Sequence, residues 1–177
     1  MEETYAQSQK KLSKDSIFIA LMKLLEKKDF NSLTVTQITR TAGVSRMAFY
    51  RSYQTKEDVI TDYLSEMFGE FTAGMKRLGM DDKYHALRFY FSFFESKREF
   101  ISLLIKAELT HLFYERLSGA IVDLFKTQND KTRSDPAFTN YLAQFTAAGL
   151  FRTLLDWIKG GSVESVEEMA NFIDEIT

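Results

Sequence analysis

Between Gly43 and Thr55 the chain reads GVSRMAFYRSYQT, and this stretch places Arg46, Met47, Ala48, Tyr50 and Arg51 on one very short helical segment behind Ser45. These side chains suit one kind of chemistry. An arginine fork binds the O6 and N7 edge of guanine with two hydrogen bonds, and methionine or alanine meets a thymine methyl. Tyrosine, serine and arginine just beyond the segment suit phosphate oxygens, which position a protein on a duplex without reading its sequence. Solvated charges on an ordinary helix would show the same spacing, so the residues alone leave both readings open.

Other chemistry has little to work with. The chain has 177 residues, no cysteine and two histidines. Disulfides, thiolate metal sites and thiol nucleophiles are therefore excluded. The spacing Glu108-Leu-Thr-His111 occurs in di-iron bundles, but those need a second copy and two further glutamates, which are missing. No nucleotide-binding or nucleophile-elbow motif occurs, so the expectation is a protein that is not an enzyme and uses no metal and no cofactor. The N-terminus MEETYAQSQKK lacks an apolar secretory core, and no apolar run is long enough to span a bilayer. A cytoplasmic protein with no membrane partner is expected.

Charge separates along the chain. Net charge is −2, yet residues 8–56 carry ten Lys/Arg against three Asp/Glu, and residues 57–177 carry 13 against 20. A basic head on an acidic body predicts that one end meets a polyanion.

The elements that must hold the short segment are helical. Ser13 marks the start of a first helix to about Lys28, with Ile17, Leu21, Leu24 and Leu25 at helical spacing. Thr34-Val-Thr-Gln37 is a capping box opening a second helix, and Gly43 suits the left-handed residue that ends it. Ser45 caps the short third helix. From Thr55 a long fourth helix carries Ile60, Leu64, Met67, Phe71, Met75 and Leu78 on one stripe. Residues 82–95 are apolar nearly all round, which predicts a central helix. A sixth follows at Glu99–Lys106, and a seventh carries Leu109, Phe113, Leu117, Ile121 and Leu124. The polar run TQNDKTRS reads as a loop. Asp135-Pro136 starts an eighth helix ending at Gly160-Gly161, and the box Ser165-Val-Glu-Glu168 opens the last. The expected fold is all-α with about nine helices.

The second and third helices with their Gly43 turn form a helix-turn-helix pattern, in which the second helix enters the major groove. The candidate DNA contacts are Thr36, Gln37, Ser45, Arg46, Met47, Ala48, Tyr50, Arg51 and Lys56. The run TVTQITRTAGVSRMAFYRSYQTKEDVI resembles the DNA-binding region of TetR-family transcriptional regulators over about residues 12–64. It shares the Thr-led helix, the Ala-Gly-Val-Ser turn, the aromatic end of the recognition helix and the Lys-Glu-Asp start of the fourth helix. Met47 and Ser52 depart from the family's usual glycine-like and histidine positions, so base preference is not transferable. The segment FTAAGLFRTLLDWIKGGSVESVEEMANFI is similar to the last two helices of a subgroup resembling the dihydroxyacetone-kinase regulators.

The resemblance implies a helix-turn-helix domain over residues 8–54 and an effector-binding and dimerisation domain over 55–177. It implies a homodimer on double-stranded DNA with a pseudo-palindromic operator, expected to be a repressor released by a small-molecule effector. A transcriptional activator, or a helical small-molecule-binding protein without DNA binding, is the alternative. Met67, Phe71, Met75, Phe91, Phe94, Phe113 and Tyr114, with Arg88, His111 and Arg116 as polar contacts, are candidates for an effector pocket between helices. Taken singly, each of those apolar residues is better read as core; as a set they stand where a pocket between helices would be. Phe138, Leu142, Phe145 and Gly149, with Met169, Ala170 and Ile173 on the last helix, are the expected dimer faces of an intermolecular four-helix bundle.

Overall fold

The computed structural model describes residues 5–78, 82–132 and 135–177. Among these residues the chain is all-α: α1 Tyr5–Leu25, a single 3-10 turn at Phe30–Ser32, α2 Val35–Ala42, α3 Arg46–Tyr50, α4 Lys56–Leu78, α5 Lys83–Glu95, α6 Arg98–Lys106, α7 Thr110–Thr132, α8 Pro136–Lys159 and α9 Val166–Ile176. No described helix is long and apolar enough to cross a membrane.

Local chemistry fixes most helix ends. Thr34 accepts from the Gln37 backbone N–H while the Gln37 side chain accepts from Thr34, closing the capping box at α2. Gly43 ends α2 with φ 68°, a left-handed conformation that glycine adopts at no steric cost. Ser45 caps α3 by accepting from Ala48. Asp58 accepts from the backbone N–H groups of Gln54 and Thr55 at 2.8 and 2.9 Å, and Thr55 accepts from Asp58, so α4 also opens on a reciprocal cap. These backbone bonds hold the Asp58 carboxyl below its ordinary range.

Two segments differ from the sequence expectation. α1 begins at Tyr5, so Ser13 lies inside the helix instead of capping it. Residues 6–12, AQSQKKL, hold good helix formers, and a serine within such a run does not stop it. The first part of TQNDKTRS continues α7 through Thr132; Arg133 and Ser134 lie outside the described residues.

The helices form two compact units, Met1–Leu64 and Ser65–Thr177, and the division falls inside α4. In the first, Ile17, Leu21, Ile38, Phe49 and Ile60 are fully buried. Phe49 meets Tyr50 edge-on and Tyr53 at a tilt, with ring centroids 5.4 and 5.6 Å away. In the second, α5 is central: Leu87, Tyr90, Phe91 and Phe94 are all buried. Burial pushes the Tyr90 phenol well above its ordinary range, and its hydroxyl donates to the Leu150 carbonyl at 3.0 Å, joining α5 to α8. Phe91 packs edge-on against Trp157 at 5.6 Å. At Gly74 a Cβ would sit 2.3 Å from the tip of the Phe89 ring, so a larger residue there requires that ring to shift. Ion pairs Arg88–Glu167 and Lys83–Asp174 join α5 to α9.

Candidate nucleic-acid interface

α3 has five residues, too few to persist as an isolated helix. Its stability comes from Phe49, which is fully buried, and from the Ser45 cap. The remaining positions turn outward. Met47 is 73% exposed and Tyr50 48%, and Arg46 and Arg51 are exposed as well. Ala48 is half-buried. The Arg46 guanidinium lies 5.9 Å from the Tyr50 ring centroid, at the outer reach of a cation–π contact. An exposed methionine and tyrosine beside two arginines, on a segment anchored by one phenylalanine, have the chemistry to meet an anionic, partly apolar partner. The edge of a DNA duplex has that character.

The other expected contacts divide. Thr36 is exposed at the start of α2, and Ser45 and Gln37 are used as caps. Lys56 behaves differently. Its ammonium donates to the carbonyls of Phe30, Asn31 and Leu33, the last two at 3.3 and 2.9 Å, and lies 4.4 Å from the Phe30 ring centroid. Asp62, which carried no signal in the sequence, joins three elements: its Oδ2 accepts from Lys14 at 2.7 Å and from the Tyr53 hydroxyl at 2.9 Å.

The expected effector residues occupy the core of the second unit. Phe71, Phe91, Phe94 and Phe113 are 0% exposed, and Met67 and Met75 are buried. Phe94 lies 5.1 Å from Phe71, 5.3 Å from Phe113 and 4.9 Å from Tyr90, centroid to centroid. Tyr114 packs on Phe151 at 4.9 Å. The polar candidates are not gathered around these rings: Arg88 pairs outward with Glu167, and His111 and Arg116 are exposed. Two grooves open elsewhere in this unit. One, of about 510 Å³, runs along Val122, Lys126, Thr139 and Ala143; the other, of about 640 Å³, runs along Arg152, Trp157, Val163, Met169 and Phe172. No group of acids and histidines that could hold a metal occurs among the described residues.

Of the expected dimer positions, Phe138, Leu142 and Phe145 are 72, 55 and 74% exposed, and Gly149 is exposed. Met169, Ala170 and Ile173 are not on that face. They are buried within the chain, on the side of α9 that packs against α5. The apolar residues that α9 leaves uncovered are Phe172 and Ile176, and α8 adds Tyr141. The helical period announced both stripes; which stripe a neighbouring helix within the chain would take was not visible in it.

Comparison with known proteins matches this geometry. Residues 13–62 match the family described as bacterial regulatory proteins, tetR family, and residues 81–177 match a transcriptional regulator C-terminal region. The HTH-type transcriptional regulator YxbF of Bacillus subtilis (strain 168), itself uncharacterized, is 24% identical over 165 residues, covering 89% of this chain and 42% of that protein. The chain thus spans less than half the length of that relative. Lin0861 from Listeria innocua superposes with a TM-score of 0.79 at 14% identity over 99% of this chain and 93% of the other. The dihydroxyacetone kinase operon activator DhaS superposes with a TM-score of 0.61 at 16% identity, over 93% of each chain. Similarity at this level shows a shared fold. With more than half of its length matched to the regulator C-terminal region and the helix-turn-helix matched in front of it, the chain belongs to the tetR family of bacterial DNA-binding transcriptional regulators.

Proposed function

We propose that this chain binds a pseudo-palindromic operator as a homodimer, with α3 in the major groove, and acts as a repressor that a small-molecule effector releases. The observation that carries the reading is the division of α3: Phe49 is fully buried while Arg46, Met47, Tyr50 and Arg51 face outward. Arg46 and Met47 read base edges, and Tyr50, Arg51 and Thr36 meet phosphates. Phe138, Tyr141, Leu142 and Phe145 form an apolar face on α8, to which α9 adds Phe172 and Ile176, and apolar patches of this kind mark association surfaces. No catalytic role is assigned to any residue.

The effector reading follows from α4, whose N-terminal half belongs to the unit that carries α3 and whose C-terminal half, with Phe71 and Met75, belongs to the other. The rings around Phe71 pack on one another at centroid distances of 5.1 to 6.1 Å, and an effector acting there works by repacking them. It must bind the released state better than the DNA-bound one, and the shift is limited to that difference. The likeness to an operon activator favours a second reading, activation from the same DNA-bound dimer. A reporter driven by the chain's selected operator separates the two: deletion of the regulator raises expression for a repressor and lowers it for an activator. No change in either direction contradicts both.

A further inference from the structure

We propose that Lys56 is a positioning residue: its ammonium clamps the Phe30–Ser32 turn to the start of α4, fixes the entry of α2, and makes no contact with DNA. An ammonium has three N–H donors and no acceptor. Here three backbone carbonyls, those of Phe30, Asn31 and Leu33, take them. The Phe30 ring closes the site at 4.4 Å and is itself only 3% exposed. A phosphate oxygen could be reached only by releasing one of these carbonyls.

The site also has a direction. Leu33 directly precedes Thr34, the N-cap of α2, and the Leu33 N–H donates back to the Phe30 carbonyl at 3.1 Å. Holding the carbonyls of 30, 31 and 33 around one point therefore fixes the chain just where it enters α2. The same lysine is the first residue of α4. Lys56 thus ties the first helix of the motif to α4 through the turn that separates it from α1. Arg46 and Arg51, by contrast, stand exposed on the outer face. The inference rests on the reading that this face binds DNA, and it removes one residue from the expected contacts.

The test compares native protein with Lys56→Met, which keeps the stem over Phe30 but loses every donor, and Lys56→Arg. A planar guanidinium fork keeps the charge but does not converge its donors on three carbonyls around one point. Hydrogen exchange without DNA comes first. The amides of residues 32–38 are expected to exchange about tenfold faster or more in both variants, because the local opening that the clamp opposes becomes easier. Binding is then measured across a salt series on the duplex that native protein selects from a random pool. Both variants, shown folded by circular dichroism, are expected to lose about tenfold in affinity, the size of one charged hydrogen bond. The slope of log K against log salt is expected to match native protein. A slope lower by about 0.9 per subunit in Lys56→Met, restored by Lys56→Arg, would mark a phosphate contact and overturn the proposal. Native exchange rates in both variants would overturn it too, as would faster exchange with native affinity. If native protein selects no duplex, the DNA-binding reading fails by itself, and the exchange data still decide whether Lys56 holds the turn.

Discussion

The Tyr53 hydroxyl donates to Asp62 Oδ2 at 2.9 Å, a bond that ties the segment after α3 to the second turn of α4. Lys14 of α1 reaches the same oxygen at 2.7 Å, so three elements meet on one carboxylate. Tyr53 is 5% exposed, while the Asp62 side chain keeps about a third of its surface in water. Tyr53→Phe should cost about 1 kcal/mol, the net worth of an ordinary hydrogen bond. Asp62→Ala should cost more, roughly 1–3 kcal/mol, since it leaves both donors without this acceptor. The double variant should cost less than the sum, because the two substitutions remove one shared interaction. Urea melts of the four proteins measure this; strict additivity would show that the bond contributes nothing.

Phe145 is 74% exposed on α8, so Phe145→Asp should leave the chain folded and act on association alone. Light scattering of native protein should give about twice the 20.5 kDa chain mass, and the variant should shift toward one chain mass. In a symmetric two-fold dimer the same patch of both copies meets, so one substitution on the face acts twice. A native monomer at micromolar concentration would contradict the dimer.

Ser162 follows α8 with φ 53°, and its buried Oγ has no hydrogen-bond partner among the described residues. The left-handed conformation costs a non-glycine residue about 1–2 kcal/mol. An unmade buried bond costs a further ~1 kcal/mol, and glycine's extra chain entropy offsets roughly 0.5–1 kcal/mol. Ser162→Gly should therefore raise stability by about 1 kcal/mol, read as a higher melting temperature. A lower one would contradict this account of the turn.

Asp58 sets an acid limit on the first unit. The Thr55 backbone N–H, with help from Gln54, lowers its carboxyl below the ordinary 3.8. A lowered folded value gives stability that is complete above the unfolded value and is lost as pH falls through the folded one. The contribution of this cap should be complete at pH 6, begin to fall as pH drops below about 4, and vanish only below the lowered folded value. Asp58→Ala should cost roughly 0.5–2 kcal/mol at pH 6 and less at pH 3, checked by urea melts at both. Equal losses at the two pH values would assign the effect to packing.

What the sequence disclosed and what it withheld differ in range. The caps at Thr34, Ser45, Asp135 and Ser165, and the Gly43 turn, are contacts within four residues, and each was legible from residue type and spacing. The start of α1 was not, because Ser13 fits a cap and a helix interior alike. Lys56 looked like a phosphate ligand because it sits at a helix start. The carbonyls that its ammonium meets lie 23 to 26 residues earlier, beyond the reach of any local pattern. Met169, Ala170 and Ile173 formed a visible stripe, but only the placement of α5 decided that the stripe is internal and that Phe172 and Ile176 remain outside.

The most direct test of the central claim is selection from a random duplex pool with native protein and with Arg46→Ala. Native protein should enrich a motif of two inverted half-sites about 10–10.5 base pairs, or a multiple of that, apart, centre to centre. Arg46→Ala should flatten the preference at one symmetric pair of positions, at about 1–3 kcal/mol per lost base contact, while leaving the rest of the motif in place. A pool that shows no enriched motif with native protein, or an identical motif from both proteins, would contradict the account of α3.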